Sequence, residues 1–145
     1  MPLAGETIIA GKIPGERINT DIEVSSSGDI TTTETAVMTV VAAVVTGRIY
    51  RIKWVFNVDS SVAADTVLLR IREDSVSGTV LQTGRYRANS NVNYPVTQEA
   101  EYTADATEDK TIVASLQRES GSGNVQLIAA ATQPSYLYVD YIRDA

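Results

Sequence analysis

Between residues 48 and 58 every second side chain is apolar. Tyr50, Ile52, Trp54, Phe56 and Val58 fall on one face of an extended segment, with Arg51, Lys53 and Asn57 on the other. A period of two marks a strand with one face in a core. Residues 66–72 repeat the pattern, setting Val67, Leu69 and Ile71 against Thr66, Arg70 and Arg72, with Leu68 as the exception. In residues 135–143, Leu137, Val139 and Tyr141 alternate with Tyr136, Tyr138, Asp140 and Ile142. Residues 35–45 are nearly all apolar, which predicts a central strand buried on both faces, or a kinked one. Ala42 and Ala43 favour a helix there, but Val37, Val40, Val41, Val44 and Val45 decide for extended backbone. Further strands are expected over 79–88, 92–96, 111–118 and 125–132, with Pro95 placing its strand at an edge or bulge. Residues 73–78 read as a turn, 104–110 as a charged loop and 119–124 as a hairpin loop.

This succession of short strands, with no helical stripe long enough for a crossover helix, predicts an all-β fold. The expected architecture is an antiparallel β-sandwich or jelly-roll-like domain over residues 35–145. Residues 1–34 are different, because Gly5, Gly11, Pro14, Gly15 and Gly28 interrupt every apolar run. They read as an extended N-terminal arm and linker, with Leu3, Ile8, Ile9 and Ile13 as apolar anchors. The alternative is an edge strand and loop packed on its own domain.

Composition reinforces the β assignment and narrows the chemistry. Seventeen Val, twelve Ile and sixteen Thr make nearly a third of the 145 residues β-branched. Cys and His are both absent, which excludes disulfides, thiol nucleophiles, Ser-His-Asp triads and His- or Cys-based metal sites. A net charge of −6 argues against wrapping nucleic acid. No apolar stretch is long enough for a membrane helix and no secretory signal is visible, so no membrane association is expected. Catalysis would have to run on carboxylates, Lys, Tyr or Ser.

Acid pairs at Asp59/Asp65, Glu73-Asp74, Glu99/Glu101 and Glu108-Asp109 are the remaining route to hydrolysis, and Glu99 and Glu101 share a strand face. None is flanked by an aromatic cluster, and solvated surface is the stronger reading. Asp59, Asp65 or residues 105–109 offer oxygen ligands for calcium, without the spacing of a calcium loop. Gly121-Ser122-Gly123 lacks the Lys-Ser/Thr of a phosphate loop and reads as a turn. No catalytic residue, metal or cofactor is expected.

Two sets of residues look suited to partner binding. Arg70 with Arg72, and Arg85 with Arg87, each point to one face of a strand. Hairpin pairing of the two strands would gather all four into a basic patch on an acidic protein. The competing reading pairs them with Glu73, Asp74, Glu99 and Glu101. Tyr136 and Tyr138 face away from the inward set of their strand, as interface tyrosines do; packing under the arm accounts for them equally well.

The stretch Leu3-Ala4-Gly5-Glu6-Thr7-Ile8-Ile9-Ala10, followed by Ile18-Asn19, resembles the start of many small virion proteins of tailed phages, particularly phages of actinobacteria. The segment Gln133-Pro134-Ser135-Tyr136-Leu137-Tyr138-Val139-Asp140-Tyr141-Ile142 is similar to their closing Pro-x-x-Leu-x-Val-x-Asp motif, with Arg143 where Gly is usual. Arg48-Ile49-Tyr50-Arg51-Ile52 is like a recurrent Arg-x-Tyr-x-Ile strand of the same proteins. The resemblance covers roughly 30 residues at the two ends. It implies a non-enzymatic β-sandwich protein of the virion, often trimeric. The expectation is a capsid decoration protein on the outer head surface, made in the host cytoplasm, with the major capsid protein and its own copies as partners. A minor tail or fibre-associated protein, with a possible host glycan contact, is the alternative. A carbohydrate-binding module is a second, though Trp54 on the apolar face of its strand counts against it.

Overall fold

The computed structural model of the protein describes residues 13–89 and 93–145. Among these, nine strands form two antiparallel sheets: β1 (Arg17–Glu23), β2 (Thr35–Val44), β3 (Arg48–Ser60), β4 (Thr66–Glu73), β5 (Val80–Arg87), β6 (Tyr94–Thr103), β7 (Glu108–Ser120), β8 (Val125–Ile128) and β9 (Ser135–Asp144). The first sheet runs β1-β9-β3-β6, with short β8 also on β3, and the second runs β2-β7-β4-β5. With β8 set aside, this is the order of a jelly roll, in which strands distant in sequence lie side by side. The all-β sandwich expected from alternation is the observed fold.

The inward faces form one core. Tyr50, Ile52, Trp54, Phe56 and Val58 of β3 meet Val67, Leu69 and Ile71 of β4, Ile112, Ala114 and Leu116 of β7, and Leu137 and Val139 of β9. Trp54 and Phe56 stack at 3.6 Å between ring centroids, fully enclosed. Each large apolar side chain buried here contributes roughly 1.5–3 kcal/mol. At the β5/β6 flank the sheets approach closely, because Gly84 leaves room for Gln98, whose Nε2 donates to Leu69 O at 3.1 Å.

Four expectations need correction. Residues 35–45 are not buried on both faces: β2 is an edge strand with Met38, Val40, Ala42 and Val44 inside and Val41 47% exposed. Small outward residues such as Ala43 hid that alternation; the expected kink is a register shift between Ala36 and Met38. The 104–110 loop is shorter, since β7 begins at Glu108 and Lys110 lies within it, only 8% exposed. Residues 119–124 do not close a hairpin, because β7 and β8 belong to different sheets. Finally, the sandwich begins at residue 17 rather than 35.

That last point changes the role of the presumed linker. β1 pairs with β9 from Arg17↔Asp140 to Glu23↔Ser135. Residues 24–34 then cross the end of the sandwich as a strap. Ser27 N donates to Leu127 O at 2.9 Å, Ile30 and Val125 exchange two backbone bonds at 2.9 Å, and Arg118 N donates to Thr31 O at 2.8 Å. Ile30 is buried in the core. Two serines fasten this path further: Ser26 Oγ donates to Ala129 O at 3.3 Å and Ser27 Oγ accepts from Leu127 N at 3.0 Å. Of the predicted anchors, Leu3, Ile8 and Ile9 lie outside the described residues, and Ile13 is exposed.

Candidate interaction surfaces

The four arginines do share one face. β4 pairs with β5 in the register Leu68↔Arg85 and Thr66↔Arg87, which places Arg70, Arg72, Arg85 and Arg87 on the outside of the second sheet. Their partners are not the acids expected. Glu34, at the end of the strap, takes Arg72 in a two-pronged pair (Nε to Oε1 2.7 Å, Nη2 to Oε2 2.8 Å) and Arg70 Nη1 at 2.7 Å. Ser115 Oγ donates to the same carboxylate at 2.5 Å. Arg70 also reaches Gln117, whose Nε2 donates to Thr32 O at 2.7 Å, so the strap is tied down twice. Burial pushes the Glu34 carboxyl upward, but hydrogen bonds from Arg72 and Ser115 and the charges of Arg70 and Arg72 outweigh it, leaving the pKa below its ordinary value. Fork-shaped guanidinium groups suit this shared carboxylate.

Arg85 is held by Glu119 through bonds of 2.8–3.0 Å. Arg87 is exposed, with no ion pair among the described residues. Four arginines against two glutamates leave the β4–β5 side of this face positive on a protein of net charge −6. Sequence reasoning missed Glu34 and Glu119. An isolated acid in the uncharged run Thr31-Thr32-Thr33-Glu34-Thr35 was the available signal, and only the fold brings it to β4.

Tyr136 and Tyr138 sit half-buried on the outer face of the other sheet, on the opposite side of the molecule from the arginines. The Arg17 guanidinium lies 3.5 Å above the Tyr138 ring while also pairing with Asp140. Tyr136 is flanked by Ile22 of β1 and Val55 of β3. Lys53, opposite Tyr138, pairs with Glu99 at 3.0 Å, and Arg143 stands 3.9 Å from Glu101. The two predicted sets therefore do not form one site. Beside the tyrosine face, a notch of about 300 Å³ is lined by Pro14, Gly15, Arg51, Asp140, Tyr141 and Ile142.

Each acid pair has at least one member engaged by a cation or donor. Glu99 and Glu101 lie along an exposed strand, not across a cleft. Glu73, Asp74 and Glu108 surround Lys110 at 3.0–3.5 Å, with the Tyr102 ring also near its ammonium. Burial lowers the Lys110 pKa, but hydrogen bonds to Glu73 and Asp74 reverse the effect and raise it. Asp65 is buried and accepts from Ser60 Oγ (2.8 Å), Ser122 N (3.1 Å) and Gly123 N (2.8 Å). Its carboxylate occupies the space that a Cβ on Gly121 or Gly123 would need, and Gly121 has φ +101°. These glycines therefore serve the β7–β8 crossover, and Asp65 staples it. Burial raises the Asp65 pKa, but these hydrogen bonds and Arg118 lower it further. Among the described residues no cluster of three metal-ligating side chains occurs. No described helix is long and apolar enough to cross a membrane.

No protein-family model and no curated protein matches the chain. Solved structures do. The infectious bursal disease virus VP2 subviral particle is 7% identical over 90% of this chain and 39% of VP2, with TM-score 0.44. The CBM22-1 xylan-binding domain from Paenibacillus barcinonensis Xyn10C is 11% identical over 91% of this chain and 98% of that domain, TM-score 0.40. A CBM4 structure is 12% identical over 71% of this chain, TM-score 0.38, and the chain spans 59% of its length. These likenesses concern the sandwich fold alone.

Proposed function

We propose that the protein is a non-enzymatic structural component of a tailed-phage virion, a capsid decoration protein that binds the outer head surface as a trimer. Its partners are the major capsid protein and its own copies. It reinforces the shell by mass action, because it binds the assembled lattice and not the dissociated subunits.

The observation that carries this reading joins the two ends of the chain. The described parts of the stretches that resemble phage virion proteins lie on neighbouring strands, with Ile18-Asn19 on β1 beside Val139 and Asp140 on β9, while Leu3–Ala10 lies outside the described residues. Asn19 has a definite task there, donating from Nδ2 to Val41 O at 2.7 Å and so covering the edge of β2. The described part of the similarity thus falls on one paired unit, as expected of an inherited structural module.

Cryo-electron imaging of particles, with the full chain and with a chain lacking residues 1–12, tests the proposal. Expected is density outside the head for the full chain, and loss of occupancy when Leu3, Ile8 and Ile9 are removed. The deletion stops short of β1, so the sandwich itself is spared. Density confined to the tail would replace the head assignment with the tail one. Full head occupancy by the shortened chain would remove the anchors from the account. Saturable binding to cell-wall polysaccharide, lost on Tyr136→Ala, would favour a carbohydrate-binding module instead.

A further inference from the structure

Among the described residues the two sheets end on β1 and β6 and on β2 and β5, short β8 being covered by the strap, and β1, β2 and β6 carry features that discourage further pairing. On β2, Asn19 Nδ2 bonds to Val41 O, and Asp21 Oδ2 accepts from Thr39 N at 3.2 Å. On β1 the register breaks between Arg17 and Asn19, and the Glu23 carboxylate takes the amides of Val24 and Ser25 at 3.0 and 2.9 Å. On β6, Pro95 removes one amide, and Glu99 and Glu101 place charge beside the edge. Proline, bulges, charge and side-chain cover are the usual protections of a strand edge.

β5 has fewer of these: it lacks proline and side-chain cover, and among the described residues its only such features are a register shift against β4 between Gln82 and Val80 and the charges of its two arginines. It runs eight residues, VLQTGRYR, without proline or acid, and no described strand pairs with its far side. Val80, Gln82, Thr83, Arg85 and Arg87 are exposed. Arg85 and Arg87 stand at alternate positions on one face, roughly 7 Å apart along the strand. They belong to the positive half of that face. A strand added at this edge would set every second side chain at the roughly 5 Å spacing of cross-strand neighbours from Arg85 and Arg87; Arg87 has no ion pair to give up among the described residues, and Arg85 would exchange its exposed pair with Glu119.

We infer that the β5 edge is an acceptor for an extended acidic segment of another protein, which adds as a fifth strand to the second sheet and sets carboxylates at alternate positions against Arg85 and Arg87. Main-chain hydrogen bonds supply strand addition and the arginines select the sequence. Charge also disfavours the alternative of two β5 edges pairing with each other, because that would bring four arginines together. This acceptor edge is independent of any place in a virion.

The test uses the full-length protein and labelled eight-residue Thr/Val peptides. One carries Glu at two alternate positions, one Lys at the same positions, and one the two Glu residues with prolines between them. Titration at low salt should give binding of the acidic peptide at least tenfold tighter than of either control. Arg87→Glu, a change at an exposed position, should weaken it at least tenfold while leaving the fold intact by circular dichroism. Bound peptide should slow hydrogen exchange at alternate amides of β5. Equal binding of the proline peptide would reduce the effect to ion attraction and overturn strand addition. No binding of any peptide at millimolar concentration would overturn the acceptor edge, and a β5–β5 dimer in sedimentation would replace the acidic partner with a second copy.

Discussion

The two outer faces are built from the same chemistry and hold it in different ways. On the tyrosine face, Lys53–Glu99 and Arg143–Glu101 are cross-strand ion pairs open to water. On the arginine face, Arg70 and Arg72 close over Glu34, whose side chain is only 14% exposed. The strap makes that difference by carrying Glu34 across the sheet and excluding water from the cluster. An exposed pair gains little, because solvent and salt screen it and ordering two long side chains costs entropy. A sheltered cluster is different: whatever the intact cluster contributes, loss of one member leaves the others desolvated without compensation.

The largest expected effect follows from that asymmetry. Glu34→Ala should destabilise the fold by about 3 kcal/mol, towards the low end for an orphaned ionic partner, because Arg70 and Arg72 retain some contact with water. Urea unfolding measures this, and a double-mutant cycle with Arg72→Ala should return a coupling above about 1 kcal/mol. A cost below about 0.5 kcal/mol would erase the distinction between the faces.

Acid should narrow the same gap. Because the folded-state pKa of Glu34 is lowered, its contribution is fully present above the ordinary carboxylate range. It is lost as pH falls below about 4 and through the lowered folded value. The stability difference between the protein and Glu34→Gln should therefore shrink steadily from pH 5 to pH 2 (approximate limits). Asp65, likewise lowered, adds to the overall acid sensitivity in both proteins and does not affect the difference.

A smaller effect belongs to the junction between the sheets. Asn19→Ala removes the bond to Val41 O and should cost about 1 kcal/mol. Hydrogen exchange should quicken along β2 while β5 is unchanged. The smallest effect is on the tyrosine face. Lys53→Ala should leave the urea midpoint almost unmoved, and what shift there is should fade at molar salt, whereas the Glu34 effect should persist there.

Much of the fold was legible in alternation. The inward sets of β3, β4 and β9 were read residue by residue, because a strand with one wet face writes its burial directly into a period of two. The pattern was weakest where side chains are small or where the chain leaves regular structure. β2 passed for a doubly buried strand because Ala and Val serve either face. β1 passed for part of an arm because Gly and Pro around it suggest loops, whether or not those loops are pinned. Among the candidate contacts, the shared face of Arg70, Arg72, Arg85 and Arg87 followed from strand spacing and one hairpin. Their partners did not, since Glu34 and Glu119 approach from 36 and 34 residues away in sequence.

The sequence by itself determined an all-β chain, its inward residues, the absence of thiol and imidazole chemistry, and the acidic balance, all local or compositional properties. Tertiary structure alone decided that strap and sandwich are one unit, that tyrosines and arginines occupy opposite faces, and that β5 is the least guarded edge among the described strands. Those properties depend on which strands become neighbours. Jelly-roll neighbours are set by the packing of whole sheets, which no local period encodes.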